Sequence, residues 1–369
     1  MTSQDAAYSS TLPLMRNRQD GDRSHIARLA IFILAIALIF TALFSLTAGA
    51  SDASLWNLIR SLWAGSDASG DVLSQRDRLI IVDIRLPRIV LGMLIGAALA
   101  VSGAVMQGLF RNPLADPGLV GVSSGAGLGA ISVIVLGGSI LAPLTAILGL
   151  LTLPLAAFGG GLFTTLVLYR VATRQGRTSV ATMLLAGIAL GALAGALTGL
   201  LTYIADDRQL RDMTFWGLGS LAGATWNKII SAGPIILIVL VVVPFLARGL
   251  NALALGEASA NHLGVHVQRV KNIAIVSVAA AVGASVAVSG GIGFVGIVVP
   301  HILRLTIGPD HRYLLPCSAL LGATLLLLAD AFSRTIVAPA ELPIGIVTAT
   351  FGAPFFLWIL LRRRNVLDL

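Results

Sequence analysis

Apolar blocks long enough to cross a lipid bilayer constrain this chain more than any other feature of its sequence. The hydrocarbon core of a bilayer is about 30 Å thick, so a spanning helix needs about 20 mostly apolar residues. Such blocks recur along the 369 residues, only 11% of which are charged, and the mean hydropathy is +0.91. A soluble domain carries about 25% charged residues. The chain is therefore predicted to be an all-α integral membrane protein.

About ten of these blocks are predicted to form transmembrane helices. A polar arm, residues 1–28, precedes the first block, which is longer than the roughly 7–15-residue apolar core of a signal peptide. We therefore expect an uncleaved first helix and a transmembrane domain over 29–369. The shortest block, 292–307, follows its predecessor after only two glycines. The predicted helices are 29–48, 86–109, 118–137, 141–169, 178–204, 228–248, 271–289, 292–307, 314–336 and 343–362.

The distribution of positive charge predicts which way these helices run. Loops on the cytoplasmic side of a membrane protein carry an excess of Lys and Arg. If the N-terminus is inside, sixteen of the 25 basic residues fall on inner segments and nine on outer ones. Both termini are therefore predicted to be cytoplasmic. Two longer polar segments remain, an outer one over 51–83, whose Trp56 and Trp63 are typical of an interfacial helix, and an inner one over 248–271.

Glycines at every fourth position predict close contacts between helices. Helices in lipid associate by van der Waals packing, which small residues permit because the backbones can then approach. The second helix has Gly92 and Gly96 at this spacing. One face of the fifth helix carries a longer series: Gly187, Gly191, Gly195 and Gly199.

The sequence contains no site for ATP hydrolysis. A phosphate-binding loop would end in Gly-Lys-Ser/Thr, yet the two lysines, Lys228 and Lys271, follow Asn and Val. His262 and His266 have the i, i+4 spacing of a metal site, but Gly264 lies between them and no acidic ligand completes the set. The chain is thus predicted to be no enzyme and to hold no metal or cofactor.

The alternative functions weighed against the residues are an ion-coupled secondary transporter and a membrane-bound enzyme. A carrier coupled to protons or sodium usually places several ionisable groups inside the membrane. Asp330 is the one clear acid within a predicted span. Because Arg334 follows four residues later on the same helical face, we expect a local ion pair rather than an ion-coupling site.

Four long segments resemble the FecCD-type permeases, the membrane subunits of ABC importers for ferric siderophores, heme and cobalamin. The first is SGAVMQGLFRNPLADPGLVGVSSGAG over 102–127, which Arg85-Leu-Pro-Arg88 precedes. The others are LGEASANHLGV over 255–265, SGGIGFVGIVVPHILRL over 289–305 and ELPIGIVTATFGAPFFLWIL over 341–360. The resemblance covers nearly the whole chain after the first 28 residues.

This resemblance implies the architecture of a type II ABC importer permease in a bacterial inner membrane. Two copies would enclose the substrate path, two cytoplasmic ATP-binding subunits would supply energy, and a periplasmic substrate-binding protein would dock outside. Heme or a ferric siderophore would be the cargo, with the segment from Arg111 to Gly127 favouring heme, and cobalamin is the alternative.

The resemblance also assigns roles to individual residues. The inner loop, about 248–271, would seat in the ATPase through Gly256, Glu257, Ala260, Leu263 and Gly264. The alternative is an ordinary polar loop.

Docking and gating positions follow in the same way. Arg85, Arg88 and Arg334 would receive acidic side chains of the binding protein, since the planar guanidinium binds carboxylates through two hydrogen bonds. The alternative for these arginines is anchoring in the headgroup layer. An inner gate would comprise Asn112, Leu114, Ser179 and Thr182.

Overall fold

The computed structural model describes residues 23–48, 78–174 and 177–362, and nearly all of them are helical. The second helix begins as a π-helical turn, Leu79–Arg85, before its α-helical part. The elements of the first half are α1 (Ser24–Thr47), α2 (Leu86–Phe110), α3 (Val122–Leu136), α4 (Ala142–Leu148), α5 (Thr152–Ala172), the two-residue strands β1 (Thr173–Arg174) and β2 (Arg177–Thr178), α6 (Val180–Ile204) and α7 (Asp207–Gly217).

Long helices again alternate with short ones in the second half. Two short helices, α9 and α10, make up most of the predicted inner loop. The elements are α8 (Trp226–Val242), α9 (Ala247–Ala254), α10 (Glu257–His262), α11 (Val267–Ser289), α12 (Val295–Thr306), α13 (His311–Thr335) and α14 (Ile344–Arg362).

The helices agree with the ten predicted spans. Seven helical segments in the described part of the chain are long and apolar enough to cross a membrane. Three shorter apolar helices, α3, α12 and α14, account for the remaining blocks. The block predicted over 292–307 is α12, which has only 12 residues. The outer segment with Trp56 and Trp63 lies outside the described residues, as does most of the N-terminal arm.

Helix α2 is the centre of the fold, and it packs against α8, α11, α12 and α13. Glycines let its backbone touch its neighbours: a Cβ on Gly96 would lie 2.4 Å from the carbonyl oxygen of Gly322 in α13. A Cβ on Gly103 would lie 1.8 Å from the carbonyl oxygen of Gly296 in α12. Real Cβ atoms cannot approach so closely, so the close packing predicted for α2 is confirmed at Gly96.

The glycine series of α6 behaves differently from that of α2. Apart from their own stretch of helix, none of the described residues has an atom within 4 Å of where a Cβ on Gly195 or Gly199 would stand. Exposed apolar side chains such as Leu193 and Leu200 lie beside them. This part of α6 is on the outside of the helix bundle, so close packing at Gly195 and Gly199 stays a prediction that the described chain does not test.

Hydrogen bonds connect the helix ends in two separate groups. One group joins the β1–β2 hairpin to α11 and α9 to α13, and the other joins α1, α2 and α13 near Arg334. Two groups of helix ends are expected if ten helices cross the membrane in alternating directions. We call the group around the hairpin the inner end and the group around Arg334 the outer end, after the orientation that the sequence predicts.

Candidate functional site

The predicted ATPase-facing residues form a compact turn at the inner end. Gly256 precedes α10 with φ 104°, a conformation that favours glycine, and Gly264 follows it with φ 77°. Ala260 is fully buried, whereas Leu263 and Gly264 are exposed. The turn thus rests on the bundle through Ala260 and presents Leu263 outward.

A buried lysine ties this turn to the rest of the inner end. Lys271 of α11 is only 3% exposed. Its Nζ donates to Oε1 of Glu257 at 2.7 Å and to the carbonyl oxygen of Thr178 at 2.9 Å. An ammonium group buried without an anion would be costly, so Glu257 compensates its charge. One side chain therefore connects the first residue of α10 to the last residue of β2.

Further hydrogen bonds extend this connection to the beginning of α6. Gln268 accepts from the Thr178 amide at 3.0 Å and donates to the Thr178 hydroxyl at 2.7 Å. The next residue, Ser179, is the N-cap of α6, and its hydroxyl accepts from the Thr182 amide at 3.3 Å. An N-cap fixes where a helix begins. Two predicted gate residues, Ser179 and Thr182, therefore hold each other, and Lys271 and Gln268 hold the strand before them.

The other two predicted gate residues lie at the end of α2. The Asn112 side chain accepts from the Leu114 amide at 2.9 Å, which closes a turn. Arg111, just before it, comes within 3.8 Å of where a Cβ on Gly256 would stand. Asn112 is thus adjacent to the start of the predicted ATPase-facing turn, and none of its described hydrogen bonds reaches α6.

A second link joins the inner helix α9 to the turn before α13. Asn251 donates to Oδ1 of Asp310 at 2.6 Å and accepts from the His311 amide at 2.9 Å. Burial alone would raise the pKa of Asp310, but hydrogen bonds from Arg312 and Asn251 outweigh it and hold that pKa below its usual value. The carboxylate stays charged and fastens α9 to α13.

The outer arginines form a buried cluster with two acids, and Arg88 is at its centre. Arg88 donates from Nε to Oδ1 of Asp330 at 2.9 Å. Its Nη1 donates to both carboxylate oxygens of Glu341 at 2.9 Å. Asp330 is fully buried, whereas the Glu341 side chain is 38% exposed. Of the two acids, only Glu341 is in contact with solvent.

The remaining arginines connect this cluster to the end of α1. Arg334 lies 3.1 Å from Oδ2 of Asp330, which confirms the ion pair predicted between them. It also donates to the carbonyl oxygens of Ser45 and Ala48. Arg85 donates to the carbonyl oxygen of Leu46. Helices α1, α2 and α13 are thereby fastened together at the outer end.

The burial of the three arginines bears on their predicted docking role. Arg85, Arg88 and Arg334 are 4%, 5% and 7% exposed. Each guanidinium is engaged within the chain, and none extends from the surface. Docking at these residues stays a prediction, and it requires a rearrangement that the sequence did not suggest.

Sequence reasoning missed several residues of these two networks. Lys271 was considered only as the end of a loop, although it is one of only two lysines and interrupts the apolar face of α11. Glu341 begins one of the four matching segments, yet nothing in its spacing from Arg88 indicated a contact. Thr178 and Gln268 gave no signal, because their partners are distant in sequence.

Comparison with known proteins adds independent information. The model of the FecCD transport family matches residues 37–362. The chain is 47% identical over 338 residues to the hemin transport system permease HmuU of Yersinia pestis, covering 92% of this chain and 97% of HmuU. It is 48% identical over 307 residues to the vitamin B12 import system permease BtuC of Salmonella paratyphi A, covering 82% and 90% of the two chains.

Solved structures agree with these relatives. A structure described as an inward-facing conformation of a metal-chelate type ABC transporter superposes with a TM-score of 0.76 at 33% identity, covering 90% of this chain and 98% of that one. PsaBC from Streptococcus pneumoniae shares the fold at 17% identity, with a TM-score of 0.52. The family model and these relatives each span most of the chain. The chain is a multi-pass membrane protein that belongs to the FecCD transport family.

Proposed function

We propose that this chain is the membrane-spanning subunit of an ABC importer that carries an iron chelate, heme or a ferric siderophore, into the cytoplasm. The family and the 47% identity to a hemin permease support the substrate class. The observation that carries the proposal is the contact of Lys271 with both Glu257 and Thr178. This contact joins the exposed turn, on which an ATPase subunit could act, to the start of a spanning helix.

The coupling step follows from this geometry. An ATPase subunit, a separate chain, would hold the turn from Gly256 to Gly264 by the exposed Leu263. When nucleotide binding moves that turn, Glu257 pulls on Lys271, which in turn displaces the Thr178 carbonyl. Because Ser179 caps α6, the beginning of that helix moves as well. The gate residues would open or close the inner end of the path.

A second copy of the chain would complete the path. The open glycines of α6, Gly195 and Gly199, offer a face on which another helix could pack closely. Apolar side chains surround this face, which suits a contact within the membrane. Two permeases would then enclose the substrate between them.

A periplasmic binding protein would deliver the chelate at the outer end. The cluster there has three arginines and two acids, so it keeps a positive charge that attracts an acidic partner. To reach Arg88 directly, an acid of the binding protein would have to displace Glu341, the exposed member of the cluster.

The location that we propose is a bacterial inner membrane with both termini in the cytoplasm. Ser139, between α3 and α4, is then outside, and Ser259 of α10 is inside. Both are exposed, and Cys317 is fully buried. In a Cys317→Ala background, a membrane-impermeant thiol reagent added to intact cells should label Ser139→Cys and leave Ser259→Cys unlabelled. The reverse pattern would invert the orientation.

Reconstituted transport tests the function. The chain would be placed in proteoliposomes with the ATPase and the binding protein encoded nearest to it, and uptake of heme would be followed with ATP and with a non-hydrolysable analogue. We expect uptake only with ATP. Uptake driven instead by a proton or sodium gradient would support the secondary transporter.

Substrate choice needs a separate measurement, because the binding protein does most of the selecting. Titrating it with heme, ferric siderophores and cobalamin, followed by absorbance, should give tightest binding of an iron chelate. The vitamin B12 permeases among the relatives make cobalamin the second candidate. Preference for cobalamin would change the cargo but leave the coupling proposal intact.

A further inference from the structure

A polar cavity at the inner end lies apart from the coupling and docking residues. It has a volume of about 370 Å³ and is bounded by the start of α1, the end of α12 and the start of α13. Three arginines and a single acid line it: Arg23, Arg304, Arg312 and Asp310. Ser24 and Tyr313 add hydroxyl groups.

Arg304 lies in this cavity without an anion among the described residues. Its Nη2 donates weakly to the Ala104 carbonyl oxygen at 3.5 Å and contacts Nε2 of His311 at 3.3 Å. Its Nε is buried without a hydrogen-bond partner among the described residues. Within that part of the chain no carboxylate lies within ion-pairing distance of Arg304.

The neighbours of Arg304 do not supply the missing negative charge. His311 Nδ1 lies 2.8 Å from Oδ1 of Asn251, an acceptor, so the ring proton is assigned to Nδ1 and Nε2 accepts from Arg304. The imidazole is then neutral. Asp310 is occupied by Arg312 at 2.8 Å and by Asn251 at 2.6 Å. The cavity thus keeps an excess of positive charge.

The surface beside the cavity faces lipid. Ile26 and Leu29, in the first turns of α1, are 53% and 51% exposed, and Leu305 at the end of α12 is 48% exposed. Apolar side chains exposed on a spanning helix contact acyl chains, and Tyr313 is the kind of residue found at the headgroup level. The cavity therefore opens where hydrocarbon meets the headgroup layer.

We propose that this cavity binds the phosphate of an anionic phospholipid headgroup, with Arg304 and Arg23 as its ligands. A guanidinium donates two parallel hydrogen bonds to phosphate oxygens. Basic pockets between spanning helices on the cytoplasmic side suit anionic headgroups. The exposed apolar residues of α1 would take the acyl chains. Because α1 also packs on α13, a bound lipid would stabilise the inner end.

The test is lipid binding by the full-length chain purified in detergent. Phosphatidylglycerol or phosphatidylcholine would be added, and bound lipid would be counted by native mass spectrometry, with the melting temperature as a second readout. We expect phosphatidylglycerol to bind and to raise the melting temperature, whereas phosphatidylcholine does neither. Losing charge-assisted hydrogen bonds in Arg23→Gln or Arg304→Gln should weaken phosphatidylglycerol binding roughly tenfold or more.

Matched variants guard against a trivial loss of folding. Arg28→Gln removes an exposed charge further along α1, where the side chain donates to the Ser24 carbonyl oxygen of the same helix, and it should bind like the wild type. Arg304→Lys keeps the charge but loses the two-pronged geometry, so its affinity should be intermediate. Equal binding by wild type, Arg23→Gln and Arg304→Gln would overturn the proposal. Full stabilisation by millimolar inorganic phosphate alone would overturn the lipid assignment.

Discussion

The two ends of this permease use buried charge in opposite ways. At the outer end, Arg88 and Arg334 converge on Asp330 in a cluster with little access to solvent. At the inner end, a single buried lysine reaches Glu257, whose side chain is 47% exposed. The outer cluster fastens helices to one another. The inner contact fastens a helix to a surface turn, the one that we propose binds the ATPase.

This difference shows that the position of a charged motif in the sequence does not determine its role. Arg85 and Arg88 begin a spanning helix in a pattern that predicts contacts with another protein. In the folded chain they bind α1, α13 and the segment before α14. Lys271 attracted no such prediction, although it makes the contact that best fits coupling. The partners of a charge decide whether it braces the fold or transmits movement.

Removing the shared acid of the outer cluster should have the largest effect. Asp330→Asn leaves Arg88 and Arg334 buried with one carboxylate, Glu341, between them. Breaking a buried ion pair by removing one partner costs about 3–5 kcal/mol. We expect a marked loss of folded protein and a lower melting temperature in detergent.

Glu341→Gln is the matched control for that variant. It removes the partly exposed acid and leaves the Arg88–Asp330 contact in place. Its stability should fall by less than half as much. If Asp330→Asn and Glu341→Gln melt together near the wild-type temperature, the cluster does not brace the outer end.

Breaking the inner contact should affect coupling more than folding. Lys271→Met fills a similar volume but cannot donate to Glu257 or Thr178. A hydrogen bond to a charged group contributes about 1.5–3 kcal/mol, so transport should fall roughly tenfold while ATP hydrolysis continues. The measurement is substrate uptake per ATP hydrolysed by the reconstituted importer.

Two variants sharpen this prediction. Glu257→Gln keeps a hydrogen-bond acceptor and should lose less coupling than Lys271→Met. Arg269→Gln, an exposed residue in the same turn of α11, should transport normally. A bulky side chain at Gly264, such as Gly264→Trp, should also uncouple transport, because it alters the proposed ATPase contact. Unchanged uptake per ATP in Lys271→Met would mean that Thr178 and α6 do not transmit movement from the ATPase-facing turn.

The fold was largely predictable because spanning helices are encoded locally. An apolar block such as the one in α13 is recognisable from its own residues, and Asp330 and Arg334 are four residues apart on one helix. The contacts of the site are not local: Arg88 and Asp330 are separated by 242 positions, and Lys271 meets Thr178 across 93. No periodicity in one helix encodes such a pair.

The packing partner of α6 was not predictable for the same reason, because it is not encoded locally. Spacing of glycines at every fourth residue predicts that a helix packs closely, but it does not say which helix it meets. For Gly96 the partner is in the same chain, whereas none of the described residues outside α6 approaches Gly195 or Gly199 within 4 Å. Similarly, the resemblance indicates the position of Gly256 and Glu257, but the contact of Glu257 with the buried Lys271 forms only in the folded chain.

The smallest expected effect concerns docking, and it tests whether the outer cluster has a second role. If an acid of the binding protein must displace Glu341 to reach Arg88, then Glu341→Gln removes the competitor and should raise the affinity of the binding protein. Exposed ion pairs contribute about 0.2–1 kcal/mol, so the gain in affinity should be about 1.4- to fivefold. Salt should diminish this gain because such contacts are screened. Arg208→Gln, which alters an exposed outer charge outside the cluster, is the control and should change affinity less. The measurement is binding-protein affinity for the reconstituted importer across a salt series. The proposal would be contradicted if Glu341→Gln had the wild-type affinity and if neither the wild type nor this variant responded to salt. The arginines would then only brace the helices, and docking would rely on other residues.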